Sequence, residues 1–119
     1  MVSDRSEVTK FLSKVKEIID HKDGFQFIRR KKNLDALDRN GFTISDVINY
    51  IKSLEVKDYY KGPEEDHLED YSHSWWFFGK EINNKIFYIK IRVVEKGDKR
   101  VVCLSFHEAK YEINNFPYK

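Results

Sequence analysis

The chain has 119 residues, of which 40% are hydrophobic and 15% are aromatic. This length can bury a core without disulfides or metals, and we expect a single domain over residues 1–119. The 22 Lys and Arg nearly balance the 20 Asp and Glu, so the net charge of +2 says little about a nucleic-acid partner. The sequence has one cysteine, no apolar run near the roughly 20 residues of a membrane span, and no signal-peptide pattern. We therefore expect a cytoplasmic protein without a membrane partner.

Three helices are predicted in the N-terminal half. Apolar residues at spacings of three and four predict an amphipathic helix over residues 5–20. Asn33 is predicted to cap a short helix that ends at Gly41. Thr43-Ile44-Ser45-Asp46 resembles a capping box and predicts a helix over about residues 44–54.

Strands are predicted mainly in the C-terminal half. Residues 25–28 and 57–63 suit short strands, residues 64–70 suit a polar loop, and strands dominate from Ser74 onward. Helices followed by antiparallel strands indicate an α+β fold, in which the N-terminal helices pack on one face of a C-terminal antiparallel sheet.

Two hairpins give the sheet a predicted register. Asn83-Asn84 suits a type I′ turn, and Gly97-Asp98 suits a two-residue type II′ turn. The first turn pairs Phe78 with Ile89 and Gly79 with Tyr88. The second predicts the apolar pairs Ile89–Phe106, Ile91–Leu104 and Val93–Val102, and the polar pairs Tyr88–His107, Lys90–Ser105 and Arg92–Cys103.

The polar face of this sheet is expected to be open to solvent and to mix aromatic with cationic side chains. Its predicted members are Trp75, Phe77, Tyr88, Lys90, Arg92 and His107. Bases stack on aromatic rings and phosphates bind cations, so the face suits RNA. The alternative is an ordinary solvated sheet face over which Lys and Arg extend.

Three other features allow a functional and a structural interpretation. The basic run Arg29–Lys32 either binds RNA or ribosome phosphates or is the solvated start of a helix. Asp66, His67, Asp70 and His73 have spacings that metal ligands use, but the segment is interpreted as a solvated acidic loop. Cys103 lies within a strand and is interpreted as packing. No metal and no cofactor is predicted.

Several short motifs together resemble the motility quorum-sensing regulator (MqsR) toxins. They are Asn33-Leu34-Asp35-Ala36-Leu37-Asp38 with Gly41, Val47-Ile48 with Ile51 and Leu54, Asp58-Tyr59-Tyr60-Lys61, Phe87-Tyr88-Ile89-Lys90-Ile91, and Leu104-Ser105-Phe106. Their order and spacing carry the resemblance, which extends from about residue 10 to residue 108. It implies a RelE-like fold, cleavage of mRNA without a metal ion, and inhibition by a cognate antitoxin.

The resemblance also implies site residues. A family active-site lysine falls on Lys61 and a strand tyrosine falls on Tyr88. A second family lysine is replaced here by His107, a family glutamine near Trp75 has no counterpart, and residues 110–119 lie beyond the family pattern. We predict Lys61, Tyr88, Arg92 and His107 as catalytic residues and Trp75, Phe77 and Lys90 as RNA-binding residues.

The predicted function is that of a type II toxin that cleaves single-stranded mRNA to a 2′,3′-cyclic phosphate. His107 would act as base or acid because histidine titrates near neutral pH, and Arg92 would bind the phosphate. The predicted partners are mRNA and the antitoxin, with no direct DNA binding. The two departures from the family pattern favour an alternative, a non-catalytic RNA- or protein-binding module that is an inactive relative or a phage-borne domain.

Overall fold

The computed structural model describes residues 2–65 and 74–119. The described residues form the helices α1 (Arg5–Ile19), α2 (Lys31–Asn40) and α3 (Ile44–Lys52), and the strands β1 (Phe25–Phe27), β2 (Tyr59–Glu65), β3 (Ser74–Ile82), β4 (Lys85–Val94) and β5 (Arg100–Glu108). The strands make one sheet in the order β1-β5-β4-β3-β2, in which only the β1–β5 pair is parallel. The α+β prediction is therefore confirmed.

Helices α1 and α3 begin at the predicted residues, 5 and 44, and end one and two residues earlier than predicted. The Asp4 side chain accepts a hydrogen bond from the Glu7 backbone N–H and caps α1. Thr43 and Asp46 form the predicted capping box, with both reciprocal hydrogen bonds present. Among the described residues, no helix is long and apolar enough to cross a membrane.

The main core lies between the helices and one face of the sheet. The apolar stripe of α1 is buried there with residues of α3, such as Val47 and Ile51. On the sheet side, Phe11 of α1 stacks on Trp76 with ring centroids 4.2 Å apart and planes 8° from parallel. The predicted packing of helices on one sheet face therefore holds.

Helix α2 departs from the prediction at its start. It begins at Lys31 after Arg30, so Asn33 lies inside the helix and is not its cap. The Asn33 side chain is fully buried and binds the sheet instead. Its amide donates to the carbonyls of Ile28 and Leu104, each at 2.9 Å, and its oxygen accepts from the Phe106 N–H at 3.0 Å. Gly41 ends the helix with the predicted left-handed backbone, at φ 66°.

The carbonyl of Leu104 belongs to a bulge in β5 that the prediction missed. Tyr88 pairs with His107 and Lys90 with Ser105, as predicted, but Ile91 then pairs with Cys103. Leu104 is the extra residue, and every pair beyond it is shifted by one. The predicted pairs Ile91–Leu104, Val93–Val102 and Arg92–Cys103 are wrong for this reason. Cys103 is instead buried in the main core.

The two hairpins differ in how well their turns were predicted. The β3–β4 turn is the predicted one, with Asn83 at φ 52° and Asn84 at φ 66°. The β4–β5 connection is not a two-residue turn at Gly97-Asp98, because the last pair joins Val94 to Arg100. The longer loop shifts the register by one residue and the bulge at Leu104 shifts it back, so Tyr88 still pairs with His107 as predicted.

The second face of the sheet is covered, so its predicted exposure is wrong. Trp75 and Phe77 are only 2% and 5% exposed, and Arg92 and His107 are also buried. The C-terminal segment, residues 109–119, packs Ile113 and Phe116 onto this face, and its last part packs Tyr118 against the main core. A second, smaller cluster results, with buried members Tyr60, Trp75, Phe77, Val94 and Val102.

Strand β2 begins two residues later than predicted and continues to Glu65. Tyr59 pairs with Phe78 and Lys61 pairs with Phe77, so Tyr60 is an extra residue. Such a bulge turns neighbouring side chains towards the same face. The ring of Tyr60 and the amine of Lys61 both contact Phe77 as a result. The segment from Asp66 to His73, which was interpreted as a solvated loop although its spacings also suit metal ligands, lies outside the described residues.

We predict that Asn33→Ala lowers the free energy of unfolding by roughly 2–4 kcal/mol, because buried backbone groups lose their partners. Urea denaturation measures the effect. Asn49→Ala, on the exposed side of α3, is the matched control and should change stability by no more than about 0.5 kcal/mol. Equal stability of the two variants would show that Asn33 does not hold the bulge.

Candidate active site

Strands β4 and β5 bring Tyr88 and His107 side by side, as predicted. The two residues pair across the strands, and their rings stack with centroids 5.5 Å apart and planes 25° from parallel. The pair lies on the second face of the sheet, beneath residues of the C-terminal segment. A phenol and an imidazole in contact offer two groups that can exchange protons with a ligand.

The hydrogen bonding of His107 fixes which nitrogen can act as a base. Its Nδ1 lies 3.0 Å from the carbonyl oxygen of Glu108, and a carbonyl oxygen only accepts, so Nδ1 carries the hydrogen. The neutral ring therefore keeps a free electron pair on Nε2. Burial lowers the pKa of His107 below its usual value, and the nearby Lys32 and Arg30 act in the same direction. The site thus holds a neutral imidazole at neutral pH.

The strand end beside His107 is held by an ion pair. Arg39 contacts both carboxylate oxygens of Glu108, at 2.8 and 3.2 Å, and Asn40 donates to one of them. The hydrogen bond from Arg39 lowers the pKa of Glu108 to about 2, so this carboxylate stays ionised. Helix α2 therefore fixes the backbone carbonyl to which His107 donates.

Tyr60 orients the hydroxyl of Tyr88. The two side chains are hydrogen-bonded, and their ring centroids are 6.3 Å apart. Burial raises the pKa of both phenols, and this bond raises the pKa of Tyr60 further and acts to lower that of Tyr88. Burial nonetheless raises the pKa of Tyr88 overall. Tyr88 is therefore protonated at neutral pH.

Cations and aromatic rings alternate along the second face. The Lys61 amine lies 4.5 Å from the centre of the Phe77 ring, and the Lys90 amine lies 5.1 Å from the same ring. Lys90 is also 5.3 Å from the Trp75 ring, which the Arg92 guanidinium approaches to 4.6 Å. Five of the seven predicted site residues thus form one array, the cation–aromatic array, in which buried rings support the charges.

A cavity of about 520 Å³ opens beside Tyr88 and His107. This volume lies within the range of about 300–1,000 Å³ that is usual for ligand sites. Four cationic side chains line it, against one carboxylate from Glu112; the cations are Arg30, Lys32, Lys90 and Lys110. Arg30 also donates to the Ser105 hydroxyl on the cavity wall. The cavity therefore suits an anionic ligand.

The structure does not bring all predicted site residues to the cavity. Tyr88, Lys90 and His107 line it. The other four predicted residues lie beside it in the cation–aromatic array, namely Lys61, Trp75, Phe77 and Arg92. Lys61 is partly exposed and lies 3.6 Å from the Glu64 carboxylate. In residues 2–65 and 74–119, no group of three or more His, Cys, Asp or Glu is placed to hold a metal ion.

A comparison with protein families identifies the group to which this arrangement belongs. The family model described as "Motility quorum-sensing regulator, toxin of MqsA" matches residues 8–108. The chain belongs to this family. Searches of curated proteins and of solved structures gave no match. The predicted resemblance to the MqsR toxins is confirmed, and membership makes the chain a toxin of a toxin–antitoxin system whose partner is an antitoxin.

Several cavity residues of this MqsR-family chain were not identified from sequence. Tyr60 was missed because only the bulge in β2 turns it to the second face, and Ser105 was noted only as a pairing partner. Arg30 and Lys32 come from the basic run, for which a structural and a phosphate-binding interpretation both remained open. The wall formed by residues 109–115 was missed because this segment has no regular pattern and lies beyond the family match.

The lowered pKa of His107 predicts how stability changes with pH. Unfolded histidine titrates near 6.5 and the folded group below it, so the stabilisation from this group is present above pH 6.5. It is lost as the pH falls from 6.5 through the folded pKa. We expect the free energy of unfolding to decrease over that window, and His107→Gln to remove part of the decrease. Urea denaturation between about pH 5 and pH 8 measures this; identical pH profiles would contradict it.

Proposed function

We propose that this MqsR-family toxin is a metal-independent endoribonuclease that cleaves single-stranded mRNA in the cavity beside Tyr88 and His107. One observation carries the proposal: the imidazole of His107 and the phenol of Tyr88 lie in contact inside a cavity edged by cations. RNA supplies its own nucleophile, the 2′-hydroxyl, so the protein needs only proton transfer and stabilisation of the phosphoryl charge.

The proposed reaction is an internal transfer at phosphorus. His107 Nε2 takes the proton of the 2′-hydroxyl while that oxygen forms a bond to phosphorus. The bond from phosphorus to the 5′ oxygen breaks, and Tyr88 gives its proton to the leaving oxygen. The products are a 2′,3′-cyclic phosphate and a 5′-hydroxyl. A proton then passes from the imidazolium to the Tyr88 phenolate through solvent, which restores the starting state.

Burial decides which of the two groups is the base. It lowers the pKa of His107 and raises that of Tyr88, so imidazole is the better acceptor and phenol holds a proton to give. A phenolate can only accept, so Tyr60 would donate to the Tyr88 oxygen as the proton leaves and would stabilise the negative charge.

The cations of the site have two proposed roles. Arg30 and Lys90 line the cavity and would stabilise the extra negative charge on the phosphoryl oxygens. Lys61 and Arg92, at the two ends of the cation–aromatic array, would extend the positive potential along the bound strand. Trp75 and Phe77 would hold these charges in place from below, since their own faces are buried.

The direct test is a single-turnover cleavage assay with a purified protein and a single-stranded oligoribonucleotide in the presence of EDTA. The wild-type chain should cut under these conditions. His107→Gln should lower the rate by about 10²–10⁴, the usual contribution of a general base, and Tyr88→Phe should also lower it. His21→Gln, at an exposed position after α1, is the matched control and should leave the rate unchanged.

Two outcomes would contradict the proposal. Cleavage that disappears in EDTA and returns with a divalent ion would assign the chemistry to a metal. RNA binding without cleavage by the wild-type chain would favour the alternative of a non-catalytic binding module. Folding of each variant is checked by its urea transition, so that a lost rate is not a lost fold.

A further inference from the structure

Beyond the proposed reaction, we infer that the C-terminal segment forms a wall of the cavity that binds the base of a single unpaired nucleotide and selects which base is accepted. We call this base-binding segment the wall. This inference rests on the proposed function, since it concerns the same cavity. The segment, residues 109–119, begins immediately after β5 and lies entirely beyond the family match, which ends at residue 108. Its contacts indicate a docked element with defined partners.

The first anchor of the segment is Phe116. A side chain at Gly79 would not fit beneath it, because a Cβ there would lie 2.7 Å from the Cζ atom of Phe116 and 3.1 Å from the Cδ1 atom of Ile113. Phe116 also meets the Tyr60 ring edge-on at 6.2 Å. The missing side chain of Gly79 therefore makes a notch in the sheet that the segment fills.

The second anchor is Tyr118. Its ring stacks on Tyr59 with centroids 6.1 Å apart, its hydroxyl donates to the Ser3 carbonyl, and the Arg5 guanidinium lies 5.2 Å from its centre. The segment is thus fixed at its far end against α1 and β2. Residues 109–115 span the distance between β5 and these anchors.

The span contributes binding groups to the cavity. Lys110 adds a cation, Asn115 adds an amide that can both donate and accept, and Tyr111 adds an aromatic ring. The Tyr111 side chain is 76% exposed although it lines the cavity, and the Lys110 amine lies 5.5 Å from its ring. An exposed ring beside a cation and an amide is the combination that stacks, orients and reads one unpaired base.

The cavity remains open with the segment docked, which distinguishes a wall from a cover. Both the Tyr88–His107 pair and the segment line its 520 Å³. A base held against Tyr111 therefore lies at the same cavity as the proposed reacting groups. A nucleotide already paired in a duplex cannot present its base in this way, so the substrate class is unpaired RNA.

The test measures binding of a short oligoribonucleotide that carries a 2′-deoxy nucleotide at the cut site, so that binding is read without cleavage. Tyr111→Ala should weaken binding about 5- to 100-fold, the range expected for the loss of one stacked base. Asn115→Ala should reduce the discrimination among the four bases at one position. Asn114→Ala is the matched control, because Asn114 is exposed on the same segment but does not line the cavity.

A second variant tests whether the segment helps to bind RNA, as a wall, or blocks the cavity, as an inhibitory cover. Phe116→Ala removes the anchor at Gly79 and should weaken RNA binding as Tyr111→Ala does. Tighter binding or faster cleavage by Phe116→Ala would overturn the inference and make the segment an inhibitory cover. Wild-type binding by both Tyr111→Ala and Asn115→Ala would also overturn it.

The readout also distinguishes the two proposals. If the wild-type chain binds RNA without cutting it, and Tyr111→Ala weakens that binding, the inference about the segment is supported and the nuclease proposal is wrong. If the wild-type chain cuts RNA and all segment variants behave as wild type, the nuclease proposal is supported and the inference about the segment is wrong.

Discussion

The buried amide of Asn33 is the interaction on which the site depends. A bulge at Leu104 breaks the regular ladder of β5, and Asn33 binds the carbonyl of Leu104 itself and the backbone N–H of Phe106, two residues further on. The third bond of the same side chain, to the Ile28 carbonyl, ties β1 and the start of α2 to this point. One side chain thereby sets the strand register and the position of the helix that carries Arg30 and Lys32.

The bulge matters because it changes which side chains face the cavity. Leu104 and Ser105 both line the cavity, although they are consecutive, and Phe106 faces the main core while His107 faces the cavity. The bulge at Tyr60 does the same on the other side of the site, where Tyr60 and Lys61 both contact Phe77. Two local irregularities thus place more functional groups on one sheet face than regular alternation allows.

Regular elements could be predicted from the sequence and irregular ones could not. The stripe of α1, the Thr43 capping box and the Asn83-Asn84 turn each rest on a local physical rule, and each is confirmed. The run Val101 to Leu104 is apolar throughout, so its pattern fits either register, and the bulge left no signal. Exposure of the second face was wrongly predicted because the covering segment has no periodic pattern.

The candidate site was only partly predicted from the sequence, because some of its residues lie beyond the unpredicted bulge in β5. Tyr88 and His107 lie on the regular side of the bulge, so their pairing followed from alternation and turn chemistry. Arg92 lies on the shifted side, where it pairs with Val102 and is buried against Trp75. The chemical character of His107 also depends on its burial in the folded chain, which raises the cost of its charged form and which alternation along the strand did not predict.

The central claim is that His107 and Tyr88 direct the attack of an RNA 2′-hydroxyl on the neighbouring phosphate. The most direct measurement is cleavage of one oligoribonucleotide and of its copy with a single 2′-deoxy nucleotide at the cut site, with the product ends identified by mass. The account predicts a 2′,3′-cyclic phosphate from the first and no cleavage of the second at that position. Cleavage of the deoxy copy, or a product ending in a 5′-phosphate, would contradict it, because water rather than the 2′-hydroxyl would then be the nucleophile.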